Sequence, residues 1–203
     1  MVVSVVVTNY NYGIHLGRCL RSLLDQSFPS DQYEIIVVDD NSTDISKTVI
    51  QAFAGDITAI FNESNLGVGA SSNIGIRRAR GRYVVRVDAD DYVNHDFLHI
   101  AQLYLNLNPR VCDAVAMDYY EVDEDERVIE RRDAATDPIA CGIMYRIDVL
   151  AKLGLYNDQL RLGEDVDLRN RFLQAGYSLH HLKLPLYRYK RHAQSMTMQN
   201  GRA

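Results

Sequence analysis

The sequence predicts an α/β fold, a three-layer α/β/α sandwich whose first half carries a mostly parallel sheet and whose second half becomes mixed and irregular. Three observations predict it. Up to Val87, short β-branched runs alternate with turns rich in Gly, Asn or Asp and with stretches that place apolar residues at helical spacing. The strand candidates are continuous apolar runs, as in strands buried on both faces of a parallel sheet. Beyond Pro109 this rhythm gives way to a long strand, an acidic turn and a second strand of alternating charge.

In chain order, residues 2–7 form the first strand, and Ile14, Leu16, Cys19, Leu20, Leu23 and Leu24 trace one face of a helix. Residues 34–38 make the second strand. Ser42 and Asp44 are cap candidates for a helix carrying Ile45, Val49, Ile50 and Phe53. A third strand spans 57–61, a third helix 68–79 and a fourth strand 83–87. A fourth helix runs from an Asn94 cap through Phe97, Leu98, Ala101 and Leu105 until Pro109 stops it. Residues 114–122 and 127–132 read as a hairpin around the acidic turn 123–126. The tail offers a helix at 147–153, a loop through Gly163, a helix over 165–175 closed by Gly176, and strands near Leu179 and Leu186.

The 203 residues suffice for one domain over 1–203, with a first half 1–92 and a second half 93–203, and no linker composition separates them. Hydrophobic residues at 47% and charged residues at 24% exclude disordered and fibrous classes. A net charge of −5 leaves no basic excess to bind nucleic acid by counterion release. The longest apolar run, residues 2–7, is far too short to cross a bilayer. Cys19, Cys112 and Cys141 are odd in number and lack a CxxC grouping, which predicts reduced core thiols in a cytoplasmic protein.

In an open α/β sheet, ligands bind beyond the carboxyl ends of the strands. Strand one exits into Thr8-Asn9-Tyr10-Asn11, strand two into Asp39-Asp40-Asn41-Ser42-Thr43-Asp44, and strand four into Asp88-Ala89-Asp90-Asp91. Asp, Asn and Ser also start helices and make turns. Paired aspartates delivered by two strands to one edge repel each other unless a cation or donor groups sit among them. An Asp-x-Asp segment suits Mg²⁺ or Mn²⁺, which completes its shell with water and phosphate oxygens and so implies a phosphorylated ligand. A phosphatase of the haloacid-dehalogenase type needs its aspartates after strand one, where this chain has Thr8-Asn9-Tyr10. The close glycines Gly67 and Gly69 lack the third glycine of a dinucleotide loop, and no P-loop occurs.

Val5-Val6-Val7-Thr8-Asn9-Tyr10-Asn11, Val37-Val38-Asp39-Asp40-Asn41-Ser42-Thr43-Asp44, Asn65-Leu66-Gly67 with Asn73-Ile74-Gly75, Val87-Asp88-Ala89-Asp90-Asp91, Gly163-Glu164-Asp165-Val166-Asp167-Leu168 and His192-Ala193-Gln194-Ser195 follow one another in that order. The set resembles the inverting family 2 glycosyltransferases of the GT-A fold over nearly the whole chain. The resemblance implies a nucleotide-diphospho-sugar donor, a UDP-sugar above others, and a carbohydrate or lipid-linked acceptor. It implies that Asp40 accepts the imide hydrogen of a pyrimidine, helped by Asp39, while Thr8 and Tyr10 line the nucleoside pocket. Asp88 holds the ribose hydroxyls, Asp90 binds Mn²⁺ or Mg²⁺ with Asp91 as its neighbour, and Asn73 flanks the diphosphate. His192, with Ser195 and Arg188, contacts diphosphate or metal. Asp165 is the base that takes the acceptor proton, with Glu164 positioning it, and a helix N-terminus suits its negative charge. The resemblance fits a cytoplasmic enzyme and admits peripheral association with the inner face of a membrane. A sugar nucleotidyltransferase would want a Gly-rich loop where residues 9–13 read Asn-Tyr-Asn-Tyr-Gly, and a noncatalytic sugar-binding module would not need both Asp90 and Asp165.

Overall fold

The computed structural model describes residues 1–192, so Ser195 lies outside the described residues. The chain runs β1 (Val3–Asn9), α1 (Gly13–Leu24), β2 (Tyr33–Asp39), α2 (Ser46–Ala52), β3 (Thr58–Phe61), α3 (Val68–Arg78), β4 (Tyr83–Asp88), β5 (Tyr92–Val93), α4 (Phe97–Leu107), β6 (Ala114–Val122), β7 (Val128–Arg132), β8 (Met144–Arg146), α5 (Ile147–Leu153), α6 (Glu164–Gln174) and β9 (Leu179–Lys190). One sheet holds all nine strands in the order β3-β2-β1-β4-β8-β6-β9-β5, with β7 on β6. The first four strands are parallel and the rest mixed, as the sequence predicts.

Why β1 is valine at Val3, Val5, Val6 and Val7, broken only by Ser4, whose hydroxyl donates to Glu34, is visible in its packing. Val3, Val5 and Val7 face a core built with Leu16, Leu20 and Leu23 of α1 and Phe97 and Leu98 of α4. Val6 faces a second core with Ile76 of α3, Val149 and Leu150 of α5, and Leu168 and Phe172 of α6. Both faces of the strand are covered, so polar alternation is excluded. The helix layer on the second face sits close to the sheet at Gly75, where an added Cβ would lie 2.4 Å from Val6 Cγ1.

The chain winds from β1 outward through β2 to β3 and then returns to place β4 on the other side of β1. This reversal opens a crevice at the carboxyl ends of β1, β2 and β4, where Asn9 pairs in register with Asp39 and Thr8 with Asp88. Asp44 pins the starts of two helices together: its Oδ2 accepts the Gly13 amide at 2.8 Å and its Oδ1 the Ser46 amide at 2.9 Å.

Several expectations need correction. β3 is an edge strand with alternate residues exposed, because nothing pairs beyond it in the described sheet. α4 starts at Phe97 with Asp96 at its cap, and Asn94 instead turns the chain by accepting the Asp96 amide. The two strands expected near Leu179 and Leu186 are one strand, β9, whose register against β6 slips between Met117 and Tyr119. The slip breaks the periodic signal in the middle, which makes one strand read as two. β5 and β8, of two and three residues, carry no periodic signal at all. The three cysteines are buried and unpaired, in line with core thiols.

Candidate functional site

The crevice holds a cavity of about 290 Å³ whose wall includes Thr8, Asn9, Tyr10, Tyr12, Asp40, Asn65, Gly67, Ser71, Asp88, Asp90, Arg161 and Tyr189. Five residues expected from sequence meet there: Thr8 and Tyr10 after β1, Asp40 after β2, and Asp88 and Asp90 after β4.

The two aspartates after β2 do different work. Asp39 is buried and closes its own turn, accepting from Asn9 Nδ2 at 2.6 Å, Ser42 Oγ at 2.6 Å and the Ser42 amide at 3.0 Å. It does not line the cavity wall. Asp40 does, and it also ties down the far wall: Oδ1 accepts from Asn62 Nδ2 at 2.8 Å and the Leu66 amide at 2.9 Å, and Oδ2 from the Gly67 amide at 2.8 Å. Gly67 enters α3 at φ 92°, a left-handed conformation suited to glycine, and a Cβ there would meet the Arg161 guanidinium at 2.9 Å. Arg161 reaches across from the loop before α6 to Asn65, with Nη1 donating to Oδ1 at 3.1 Å, and joins the two sides of the mouth.

After β4 the carboxylates diverge. Asp90 faces the cavity, and its Oδ2 lies 2.9 Å from His192 Nε2. His192 is buried behind it, 4.6 Å from the His15 ring and edge-on to Tyr12 at 5.5 Å. Burial, and then the neighbouring His192 and Lys190, draw the His15 imidazole below its ordinary value. Asp91, expected as a metal neighbour, turns inward instead. Its Oδ2 accepts from the Tyr187 hydroxyl at 2.7 Å and the Cys141 thiol at 3.5 Å, and its Oδ1 accepts the Lys190 amide at 2.8 Å. Burial pushes the Asp91 carboxyl well up, and Asp90 and Asp88 push the same way.

Asp88, Asp91 and Cys141 bring potential ligand atoms within 4.8 Å of one another. That trio does not suit a hard divalent ion: Cys141 is a soft donor, and burial raises its thiol well above the ordinary range. Asp90 and Asp88, two oxygen donors on an open wall, have the chemistry that Mn²⁺ or Mg²⁺ takes.

Asp88 is anchored from behind by Arg86, the charged residue inside the buried run of β4. Arg86 and Asp88 are two residues apart and share a sheet face. The Arg86 Nε lies 3.1 Å from Asp88 Oδ1, and its Nη1 donates to Glu164 Oε1 at 3.1 Å. The guanidinium sits 5.5 Å from the Tyr156 ring centroid. Arg86 and Glu164 are buried, so neither charge has water as an alternative partner. Glu164 therefore opens α6 facing the protein interior. Asp165, the next residue, is half-buried and lines a shallow crevice with Ile139, Tyr145, Tyr156 and Arg169 outside the cavity wall.

Asn73 is not in the cavity. Its Nδ2 donates to Tyr156 O at 2.9 Å and its Oδ1 accepts the Tyr156 amide at 3.0 Å, so the whole side chain clips α3 to the loop after α5. Arg86, Arg161, Tyr187 and Tyr189 go unnoticed in the sequence, and Asn65 enters it only as part of the Asn65-Leu66-Gly67 motif with no role of its own. Arg86 alone carries a signal there, since a charge inside a continuous apolar strand must be paired.

A mostly parallel sheet with a carboxylate-lined cavity at its switch point, continued by a mixed second half, is the GT-A architecture. The chain belongs to glycosyl transferase family 2, whose profile matches residues 4–159. It is 35% identical over 128 residues to the glycosyltransferase GlyG of Streptococcus pneumoniae, a match covering 62% of this chain and 41% of that protein. It is 31% identical over 109 residues to the poly(ribitol-phosphate) beta-N-acetylglucosaminyltransferase TarS of Staphylococcus aureus, covering 52% of this chain and 19% of that protein. The chain thus spans less than half the length of these relatives. In fold it superposes on TarS residues 1–349 in complex with UDP-GlcNAc with a TM-score of 0.81 at 22% identity, covering all of this chain and 62% of that one. It also superposes on a mannosyltransferase of Pyrobaculum calidifontis in complex with GDP-Man and Mn²⁺, with a TM-score of 0.75 at 20% identity, covering 92% of this chain and 56% of that one. No helix among the described residues is long and apolar enough to cross a membrane.

Proposed function

We propose that the chain is the donor-binding and catalytic portion of an inverting glycosyltransferase that moves a sugar from a nucleotide-diphospho-sugar, a UDP-sugar above others, to a hydroxyl of a carbohydrate or lipid-linked acceptor. The observation that carries this reading is the meeting of Thr8, Tyr10, Asp40, Asp88 and Asp90 around one cavity at the sheet's switch point. The UDP-GlcNAc of TarS and the GDP-Man and Mn²⁺ of the mannosyltransferase support a donor of this class, and the acceptor named for TarS supports a role in polymer synthesis.

Tyr10 and Thr8 flank the nucleoside, and Asp40 accepts from the base while keeping the opposite loop in place. Asp90, with Asp88, expected at the ribose hydroxyls, beside it on the same wall, would hold the divalent ion, which when bound supplies positive charge to the departing diphosphate. His192 fixes the Asp90 carboxylate, and Arg161 brings a guanidinium to the same mouth. On the other side, Asp165 takes the proton of the attacking hydroxyl as its oxygen reaches the anomeric carbon opposite the leaving group. Glu164 cannot share that task while paired with Arg86, so it positions the first turn of α6.

Donor turnover with water as acceptor tests this without knowing the natural acceptor. UDP release from a panel of UDP-sugars with Mn²⁺ is expected, with the freed sugar appearing first in the inverted anomeric form by proton NMR. Asp165→Asn should lower the rate by about 10² to 10⁴ while leaving UDP affinity nearly intact in calorimetry. Retention of configuration, or undiminished turnover in Asp165→Asn, would overturn the assignment of the base, and UDP binding without turnover would favour a noncatalytic module.

A further inference from the structure

A second polar cleft lies at the register row Tyr92–Arg188 and shares no lining residue with the donor cavity, so Arg188, which the family resemblance sets at the diphosphate or metal, stands outside the donor wall. Tyr92 of β5 is the register partner of Arg188 on β9, and Arg188 is the partner of Tyr120 on β6. Tyr120 in turn partners Arg131 on β7. The result is a row of alternating aromatic and guanidinium side chains across four strands, on the sheet face opposite Tyr187 and Tyr189. The Arg188 guanidinium carbon lies 4.7 Å from the Tyr120 ring centroid, and Arg18 of α1 closes the row 4.1 Å from that of Tyr92.

The arginines of this row differ in their counter-charges. Arg18 is paired with Glu126 at 2.9 Å and Arg131 with Asp118 at 2.7 Å. Arg188 Nη1 donates to Pro185 O at 2.6 Å and Tyr187 O at 3.3 Å, and among the described residues no carboxylate pairs with it. A cleft of about 320 Å³ opens here, with Arg18, Tyr92, Asn94, His95 and Arg188 on its wall. Its one carboxylate, Asp25, is 85% exposed and lies 3.7 Å from His95 Nδ1. Burial draws the Arg188 guanidinium below its ordinary value, and the charge of Arg18 presses the same way. A half-buried cation that faces a like charge and lacks its own counter-ion leaves a charge deficit that a bound anion would fill.

We propose that this cleft is an oxyanion site, in which Arg18 and Arg188 take the phosphate group of a phosphate ester between them. Arg188 brings an unneutralised guanidinium, and Arg18, whose Nε is held by Glu126, brings its remaining Nη donors, a set that matches the geometry of a phosphate. The inference does not depend on the donor cavity's assignment.

Amide and arginine Nε NMR of the ¹⁵N-labelled chain, titrated with inorganic phosphate in the presence of saturating Mg²⁺ and UDP, reads the two sites separately. Saturable shifts are expected at the amides of residues 92–95 and at the Arg188 Nε–H. Arg188→Gln should raise the phosphate dissociation constant about tenfold or more while leaving the UDP-induced shifts unchanged, which also shows that the variant folds. Absence of saturable shifts, or equal affinity in Arg188→Gln, overturns the site. Failure of UDP to shift the Asp40 cavity would sink the glycosyltransferase reading and leave the phosphate titration to decide this one. Glycerol phosphate and phosphatidylglycerol vesicles then separate the sources: Arg188-dependent shifts with the soluble ester assign a free phosphate ester, and Arg188-dependent cosedimentation assigns a lipid headgroup.

Discussion

Replacing Arg86 with methionine should cost far more than an ordinary core substitution. Methionine fills much of the same space but leaves two carboxylates without their cation. Arg86 is 6% exposed and Glu164 5% exposed, and both ion pairs lie at 3.1 Å. Removing one partner of a buried pair typically costs about 3–5 kcal/mol. The Asp88 side chain is 26% exposed, so water recovers part of what it loses, and the range need not be doubled. For a chain of this size about 1 kcal/mol moves the melting temperature by about 2–4 °C, so a fall of roughly 6–20 °C is expected. Thermal unfolding followed by circular dichroism measures it. Adding Glu164→Gln in the Arg86→Met background removes the more deeply buried of the two stranded charges, and the pair should couple by at least about 1 kcal/mol relative to the sum of the singles. A melting shift under about 2 °C, or additivity within about 0.5 kcal/mol, would show that Arg86 is not an electrostatic keystone.

Three further outcomes are expected. Asp90→Asn should weaken UDP binding in the presence of Mn²⁺ and make calorimetric titrations with and without EDTA converge, because the amide brings no charge to the ion; a wild-type affinity indifferent to EDTA would remove the metal from the site. Gly75→Ala should lower the melting temperature although alanine is the better helix former by about 1 kcal/mol, since its Cβ would lie 2.4 Å from Val6 Cγ1 and overpacking typically costs about 1–3 kcal/mol. Burial works to raise the Glu34 carboxyl, but hydrogen bonds from Ser4 Oγ and from the Arg80 amide and guanidinium outweigh it and hold it below its ordinary 4.5. Its contribution to stability is therefore complete above that value and lost as pH falls through the lower folded value; Glu34→Gln should flatten the acid limb of stability against pH, and parallel acid limbs would refute the link.

Local chemistry explains which parts of this protein were legible in the amino-acid sequence. β1, β2 and β4 are covered on both faces, so their composition alone announces them, and the polar residues that end them mark the cavity wall. Asp39 and Asp40 are indistinguishable as neighbours in a sequence, yet Asp39, the last residue of β2, closes a turn with Ser42, and Asp40, just past the strand, lines the cavity. Asp91 looked like a ligand for the same reason. Its burial depends on Tyr187 and Lys190, which no local pattern connects to it. Asn73 matched a motif in the right order, but its partner is a backbone segment 83 residues away. β9 was divided in two because a register slip interrupts the alternation that would have joined it.

The inward turn of Asp91 bears on how the molecule assembles. Asp91 receives its hydroxyl and amide donors from residues 96 and 99 positions later, and His192 follows its partner Asp90 by 102. Contacts of such separation form late, since the intervening chain must be ordered before closing the loop is rewarded. Until β9 is in place, Asp88 has Arg86 of its own strand as a partner, whereas Asp90 and Asp91 lack the donors that His192, Tyr187 and Lys190 bring. Docking of β9 brings those donors to the aspartates, whose like charges otherwise oppose one another. The last of the described strands is thus also the one that completes the aspartate cluster, and slow docking of β9 should set the pace at which a folding chain first acquires affinity for its ligand.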